Sequence, residues 1–214
     1  MRNLTDRQVI TGVLFAIFLG LLFSTKAIAE DLLPPQQVIQ NVSSQLQQKM
    51  KDKSFTRDFA QVVRFVNGVI DPHIAFNQVA QLVLGRHWKT ATPQEQERFK
   101  DEFQTLLVRT YSRAFVEYTD WSMRFRPIQV PNAATRIMVR TDILQPGRQA
   151  VEVNYRMLLN SGEWKVYDIM IDGVSLVTNY RTTFNDDIQR KGSLSIVIDD
   201  LAKRNTEALS GKSS

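Results

Sequence analysis

The sequence predicts an α+β domain in which helices pack on a four-stranded antiparallel sheet. Between residues 34 and 118, apolar residues recur every three or four positions, which is the spacing of one helix face. Between residues 121 and 171 they alternate with polar residues, and beyond residue 178 the helical spacing returns. Helices, then strands, then helices again is the element order of an α+β domain with its helices on one sheet face.

The N-terminus has the pattern of a cleavable export signal. Arg2 and Arg7 precede an apolar stretch at residues 13–23, and Ala27-Ile28-Ala29 supplies small residues around a cleavage point. An uncleaved membrane anchor is the alternative, but this stretch is shorter than the ~20 residues of a spanning helix. We therefore predict a signal peptide at residues 1–29, cleavage after Ala29, and one mature domain at residues 30–214 that is free in the periplasm.

The composition excludes several classes of function. The chain has no cysteine, so we expect no disulfide, no thiol chemistry and no lipid-anchored N-terminus. The formal net charge is +5; residues 1–29 contribute +2 of it through Arg2, Arg7, Lys26 and Asp6, so the predicted mature chain carries +3. A mature chain with so mild a charge is not expected to bind nucleic acid, which usually requires a concentrated basic face.

The first half of the mature chain predicts four helices. Pro34-Pro35 opens the first, which continues to Met50, and the second and third cover residues 55–69 and 74–84, with Gly85 suited to a left-handed C-terminal cap. The fourth starts at Thr92-Pro93-Gln94-Glu95, a capping box with proline at the first helical position, and continues to Tyr118. At ~1.5 Å per residue this last helix is long enough to cross the domain.

The second half predicts a four-stranded meander followed by helix. Strands are expected at residues 121–125, 137–143, 151–159 and 164–171, because apolar and polar residues alternate there. Pro146-Gly147 and Ser161-Gly162 supply turns between consecutive strands. Helix is expected from residue 178 to residue 209, with a break at Gly192.

Two long segments carry a resemblance to a known family. Residues 82–103 read LVLGRHWKTATPQEQERFKDEF, and residues 164–181 read WKVYDIMIDGVSLVTNYR. They resemble the central and C-terminal signatures of the MlaC (toluene-tolerance Ttg2) family of periplasmic phospholipid-binding proteins. With the element order between them, the resemblance covers nearly all of the mature chain.

The resemblance implies a curved sheet similar to the nuclear-transport-factor-two-like cone, wrapped by helices around an apolar pocket. It implies phospholipid as cargo and no cofactor. It also implies two partners, an inner-membrane ABC transporter complex and an outer-membrane lipoprotein–porin complex, and a role in outer-membrane lipid asymmetry. We expect a monomer whose pocket shelters the acyl chains while the headgroup stays outside, since a buried phosphate lacks partners here.

The candidate lipid-binding residues form two predicted walls. Alternating positions on the last two strands and the residue after the Asp-Gly turn supply one wall, and apolar positions on two helices supply the other. The sheet wall is Val151, Val153, Tyr155, Trp164, Val166, Ile169, Ile171 and Val174; the helical wall is Leu82, Val83, Phe103, Leu107 and Tyr111.

No catalytic or metal-ligating residue is predicted. The two histidines, His73 and His87, lack the spacing of a metal site, and no nucleophile motif or phosphate-binding glycine loop occurs. Two alternatives stay open. The pocket could hold another apolar lipid such as a hopanoid, or Asp168 or Asp172 could act as the general base of an isomerase-type enzyme.

Overall fold

Seven α-helices and a five-stranded antiparallel sheet form the part of the chain that the structure describes. The structure is a computed structural model that describes residues 32–117 and 120–210. It confirms the predicted α+β class. The predicted signal peptide and its cleavage site after Ala29 lie outside the described residues.

The helices are interrupted by two 3₁₀ turns, Phe55–Arg57 and Asp71–His73. In chain order the helices are α1 Pro34–Met50, α2 Phe59–Ile70, α3 Phe76–Leu84, α4 Arg86–Thr90, α5 Pro93–Glu117, α6 Leu176–Lys191 and α7 Leu194–Leu209. The short α4 was not predicted.

Local hydrogen bonds explain why α2 and α3 begin later than predicted. The Asp58 side chain accepts a hydrogen bond from the Gln61 backbone N–H at 3.0 Å, so the helix starts after this cap instead of at Phe55. Ile74 forms a parallel bridge with Val166 of the sheet, which keeps it extended and out of α3.

The predicted capping box of α5 is confirmed. Thr92 Oγ1 accepts from the Glu95 backbone N–H at 3.2 Å, and the Glu95 carboxylate accepts from the Thr92 backbone N–H at 2.9 Å. The predicted left-handed cap at Gly85 is wrong in detail. Its φ of 54° is positive, but its ψ of −117° lies outside the left-handed helical region.

The prediction of a four-stranded sheet is wrong by one short strand. The strands are β1 Ser122–Phe125, β2 Arg136–Leu144, β3 Val151–Asn160, β4 Glu163–Ile171 and β5 Val174–Ser175, paired in that order. The fifth strand exists because Asp172 and Gly173 both have positive φ, at 47° and 82°. Such a two-residue turn matches the twist of paired strands, so the chain turns back along β4 before α6 begins.

The register divides the sheet into two unlike faces. Residues directly opposite each other on antiparallel strands point to the same side of the sheet. One side, the apolar face, carries fifteen apolar residues and one threonine, whose hydroxyl donates to the Val153 carbonyl at 2.7 Å. Its members are Met123, Phe125, Ile137, Val139, Thr141, Ile143, Val151, Val153, Tyr155, Met157, Leu159, Trp164, Val166, Ile169, Ile171 and Val174.

The buried core consists of three clusters. One lies among α3, α5, α6 and α7 around Phe99, Phe103 and Phe184, whose rings contact one another at 5.0–5.6 Å. A second lies among α1, α2 and α5. A third joins Ile39 of α1 to the centre of the apolar face. None of the helices in the described ranges is long and apolar enough to cross a membrane.

Candidate functional site

The two segments that carry the family resemblance pack against each other. Arg181 Nε donates to the Leu82 carbonyl at 2.6 Å, and just beyond the second segment Asn185 Oδ1 accepts from Arg86 at 3.0 Å. The Tyr180 ring lies edge-on to Phe103, with 5.1 Å between centroids. Segments 82–103 and 164–181 therefore fix the position of α6 against α3 and α5.

The sheet wall is buried at its centre and open at one end. Val166 is buried, and it adjoins Val139 and Met157, which are fully buried on the neighbouring strands. Toward the start of β3 and the end of β4, Val151, Val153 and Ile171 are only half-buried. Tyr155, Trp164 and Ile169 are also half-buried, although all three pack against the third cluster.

Val174 continues the apolar face beyond this open end. It pairs with Ile171 across β4 and β5, so it belongs to the same face. Its side chain is nevertheless 60% exposed, because β5 is a two-residue edge strand. The structure thus brings Val174 to the rim of the apolar face and not to an enclosed position. We call Val151, Val153, Ile171 and Val174 the open corner.

The helical wall divides into a buried and a half-buried part. Val83 and Phe103 are buried in the first cluster, where helices surround them. Leu82 and Leu107 are half-buried and pack against that cluster, and Tyr111 is half-buried one turn beyond Leu107 on α5. Leu82, Leu107 and Tyr111 are therefore the members of this wall that retain exposed surface.

The long helix α5 stands apart from the sheet. Within the described ranges, α1, α3 and α6 contact β4, whereas α5 makes no extensive backbone contact with any strand. It packs instead on α2, α3 and α7. The half-buried residues of α5 are thus not covered by close packing of this helix on the apolar face.

Two tyrosines in the predicted walls stay uncharged at physiological pH. Burial raises the pKa of Tyr155 to about 12, against a smaller lowering effect of a hydrogen bond with Thr141. Burial, the neighbouring Tyr180 and a hydrogen bond with it raise the pKa of Tyr111 to about 12. Both hydroxyls are polar but neutral, so neither wall gains a charge from them.

The opposite side of the sheet, which we call the charged face, is held by ion pairs. Asp142 is buried and accepts from Arg124 at 3.0 Å and from Arg126 at 2.5 Å. Asp168, also buried, accepts from Arg156 at 3.3 Å. Hydrogen bonds to Arg126 and Arg124 hold the pKa of Asp142 below its usual range.

Neither candidate general base lies on the apolar face. Asp168 also accepts from the Ser175 hydroxyl at 2.7 Å and from the Val177 backbone N–H at 3.1 Å, so its carboxylate ties β4 to the start of α6. Asp172 lies in the exposed turn after β4 and accepts from the Glu152 backbone N–H at 3.1 Å. Both carboxylates have structural hydrogen bonds in this arrangement.

Two surface clefts lie away from the predicted walls. A cleft of about 990 Å³ lies between α3, the start of α5 and the β3–β4 hairpin, and its lining is mostly amide and charged side chains around Trp88. A second, of about 520 Å³, lies beside Trp121 at the start of β1. Neither is lined by any of the thirteen candidate residues. Among the residues the structure describes, no group of three acidic, histidine or cysteine side chains is placed to hold a metal ion.

Sequence reasoning missed part of the apolar face. Ile143 lies directly opposite Val151 and is half-buried. Alternation along β2 already indicated this position. Tyr180, whose ring contacts Phe103 and which, in addition to burial, raises the pKa of Tyr111, was also missed. No apolar pattern in the sequence indicated it, because its neighbours on α6 are polar.

A family model described as MlaC protein matches residues 40–203, which is most of the chain. The chain belongs to the MlaC family. The match includes the apolar face, the charged face and both helical segments that carry the candidate residues.

Among curated MlaC-type relatives, toluene tolerance protein Ttg2D of Pseudomonas putida is 23% identical over 60% of this chain and 60% of its own length. The intermembrane phospholipid transport system binding protein MlaC of Haemophilus influenzae is 28% identical over 50% of this chain and 51% of its own. The chain thus spans about half to three-fifths of the length of these relatives.

A solved structure extends the likeness to most of the fold. The phospholipid-binding protein of Ralstonia solanacearum, determined in complex with a phospholipid, superimposes with a TM-score of 0.75 and 27% identity. The match covers 82% of this chain and 99% of that one. This MlaC-family chain therefore shares the fold of a protein that holds a phospholipid.

Proposed function

We propose that this protein is a periplasmic phospholipid carrier that shelters acyl chains between the apolar face of the sheet and the half-buried residues of the helical layer. It exchanges lipid with an inner-membrane ABC transporter complex and an outer-membrane lipoprotein–porin complex. The cargo is its only bound small molecule, and it acts as a monomer without catalysis.

The open corner is the single observation that carries this proposal. A soluble protein usually buries a continuous apolar sheet face, because each Å² of apolar surface removed from water is worth roughly 25 cal/mol. Here the face is covered at its centre, yet it remains half-buried at Val151, Val153 and Ile171 and exposed at Val174. Such a surface matches a ligand that is itself apolar and arrives from outside.

The separation of α5 from the sheet provides the second wall. Leu107 and Tyr111 retain exposed surface on α5, which does not pack closely on the strands among the described residues. Acyl chains inserted there would contact apolar or neutral groups on both sides. The headgroup would stay at the rim, where water and polar side chains replace the bilayer surface.

A carrier is needed because lipid does not cross water readily. A diacyl phospholipid has roughly 30 methylene groups, and at about 0.8 kcal/mol each its escape from a bilayer is opposed by about 24 kcal/mol. A protein sleeve removes most of this barrier by keeping the chains out of water. Partner complexes must then be weak, since a long-lived complex would stop exchange.

The relatives support the same substrate class. The structural neighbour from Ralstonia solanacearum is described as a phospholipid-binding protein in complex with a phospholipid, and the Haemophilus influenzae relative as a phospholipid transport system binding protein. The export signal predicted at residues 1–29 is consistent with a periplasmic site of action. N-terminal sequencing of the mature protein should begin at Glu30.

Lipid extraction followed by mass spectrometry tests the proposal. The full chain, exported and purified without detergent, should release about one diacyl phospholipid per protein. A polycyclic lipid in place of phospholipid would favour the hopanoid alternative. An empty protein that turns over a small carbonyl compound would favour the enzyme, and would contradict the structural role of Asp168.

A further inference from the structure

Three arginines cluster on the side of α5 that contacts α7. Arg109 and Arg113 lie one turn apart on α5, and Arg204 lies on α7, which packs along α5. Asn205, the residue after Arg204, accepts a hydrogen bond from Arg109, and the pKa of Arg109 is lowered by burial and by the positive charge of Arg204. The electrostatic influence of Arg113 on Arg109 has the same sign.

A buried asparagine holds Arg109 in place. Asn205 is 2% exposed and donates to both the backbone carbonyl of Glu102 at 2.8 Å and its carboxylate at 2.7 Å. Its Oδ1 is thereby oriented to accept from Arg109 Nε at 2.8 Å. This bond uses one guanidinium donor and leaves the two terminal NH₂ groups, which form the fork that recognises phosphate, outside it.

No carboxylate forms an ion pair with Arg109, Arg113 or Arg204 among the described residues. Asp200 lies within electrostatic reach of Arg204, but its direct partner is Lys191, which lowers the pKa of that carboxyl more than the charge of Arg204 does. Arg113 lies over the Phe59 ring at 5.4 Å, and Arg204 Nε donates to a backbone carbonyl at 3.3 Å. The arginines of the charged face differ, because buried aspartates neutralise Arg124, Arg126 and Arg156.

The three like charges of the cluster are electrostatically unfavourable beside one another. Burial lowers the pKa of Arg109, and the like charges of Arg204 and Arg113 lower it further. A partly buried guanidinium beside two others gains most from an anion that accepts several hydrogen bonds at once. Two carboxylates close in the sequence to Asn205 or Arg109 have other direct partners, since Glu102 accepts from Asn205, and Asp200, which is also subject to the charge of Arg204, is paired with Lys191 at 2.5 Å.

We propose that Arg109, Arg113 and Arg204 form a binding site for a phosphate group, with Asn205 as the positioning residue. A phosphate monoester or diester offers several acceptor oxygens to two or three guanidinium groups, which a single carboxylate does not. The phosphate belongs either to the headgroup of a bound lipid or to a free phosphate compound. The assignment of the phosphate to a lipid rests on the proposed function, whereas the proposal that the site binds phosphate is independent of it.

The position of the cluster connects it with the helical wall. Tyr180 exerts an electrostatic effect on Arg109, it adds to burial in raising the pKa of Tyr111, and its ring contacts Phe103 at 5.1 Å. The cluster is therefore in the electrostatic neighbourhood of the side chains expected to touch acyl chains. A headgroup outside the apolar sleeve would find its phosphate partners here.

Binding measurements on the full mature protein test the site with two probes, inorganic phosphate and a short-chain diacyl phosphatidylglycerol below its micellar concentration. Arg109→Gln and Arg113→Gln should each weaken phosphate binding about tenfold, the loss expected for a charge-assisted hydrogen bond. Arg98→Gln is the matched control, because it makes the same charge change on α5 but removes an ion pair with Asp199 of α7. We expect its phosphate affinity to stay within about twofold of wild type.

The two probes separate the sources of the phosphate. If the arginine substitutions weaken the binding of inorganic phosphate and of the short-chain lipid in parallel, the site holds a lipid headgroup. If they weaken the binding of inorganic phosphate alone, the site holds a free phosphate compound. Either result supports the site. Absence of phosphate binding, or equal loss in Arg98→Gln, would overturn it. If the protein carries lipid but binds no phosphate, only the phosphate site is contradicted. If it binds phosphate but carries no lipid, only the proposed carrier function is contradicted.

Discussion

Substitution of Val174 by glutamate separates lipid binding from folding. Val174 is 60% exposed, so less than half of the about 1.5–3 kcal/mol that full burial of such a side chain is worth contributes to stability. Val174→Glu should therefore lower the free energy of unfolding by about 1 kcal/mol or less. The effect on lipid should be much larger, because an acyl chain lying on the open corner would have to desolvate a carboxylate.

Desolvation of an ion costs several kcal/mol even after local relaxation. With about 3 kcal/mol lost and about 1.4 kcal/mol per tenfold change, the lipid affinity of Val174→Glu should fall roughly a hundredfold. The assay is lipid mass spectrometry on protein purified without detergent, with a urea melt of the same sample. The expected result is a folded protein that releases little or no lipid.

A matched control uses another exposed apolar residue. Ile196 on α7 is 48% exposed and lies outside the sheet, so Ile196→Glu makes the same charge change away from the apolar face. It should retain wild-type lipid. If Val174→Glu also retained wild-type lipid while remaining folded, Val174 would not contact the cargo, and the open corner would lose its proposed role.

Four further substitutions test the structural reasoning. Gly173→Ala should lower the free energy of unfolding by about 1 kcal/mol in a urea titration, because φ at this turn is 82°. Gly68→Ala in α2 should raise the free energy of unfolding by about 0.5–1 kcal/mol, because an added methyl group meets no atom within 4 Å there. Asp168→Asn should lower the free energy of unfolding by about 1–3 kcal/mol, since the amide cannot accept all three hydrogen bonds. The lipid extracted from this variant should be unchanged, and a change in its amount or kind would contradict a purely structural role. The pKa of Asp142 is lowered in the fold, mainly by Arg126, so its contribution to stability is complete above the unfolded pKa near ~3.9 and is lost as the pH falls through the lower folded value. Asp142→Asn should remove this contribution to the loss of stability at low pH, measured by urea titrations between pH 5 and pH 2. If the stability of the variant fell with pH as steeply as that of the wild type, Asp142 would not be the group responsible.

The sheet was largely predictable because period-two alternation records which side of a strand faces apolar surroundings. Val151, Val153 and Tyr155 alternate with Glu152 and Asn154, and the structure places the two sets on opposite faces. The alternation contains no information on how closely a second layer approaches. It therefore predicted the composition of the apolar face but not its open corner.

The boundaries of elements were less predictable because tertiary contacts set them. Ile74 has the spacing of a helical residue but pairs with Val166, which is 92 positions away in the chain. Asp172-Gly173 was recognised as a turn, yet the additional strand after it depended on whether β4 had a free edge to pair with. Neither condition can be read from neighbouring residues.

The arginine cluster shows the same limit for charged residues. Arg109 and Arg204 are separated by almost a hundred positions, and each reads alone as a solvated helix residue. Their proximity, and the absence of a carboxylate partner among the described residues, appear only when α5 and α7 are packed together.

The two faces of the sheet suit the proposed carrier, which must stay dissolved in water and also hold lipid. An apolar sheet face that is partly exposed to water promotes aggregation, through its strand edge and through its surface. The opposite face exposes Arg124, Arg126 and Arg156 to water while it buries the aspartates that neutralise them, so it contributes charge without a large internal repulsion. Because side chains alternate along each strand, neither property requires a separate element. A lipid on the apolar face would complete the core that the helices leave unfinished, so binding and stability should rise together.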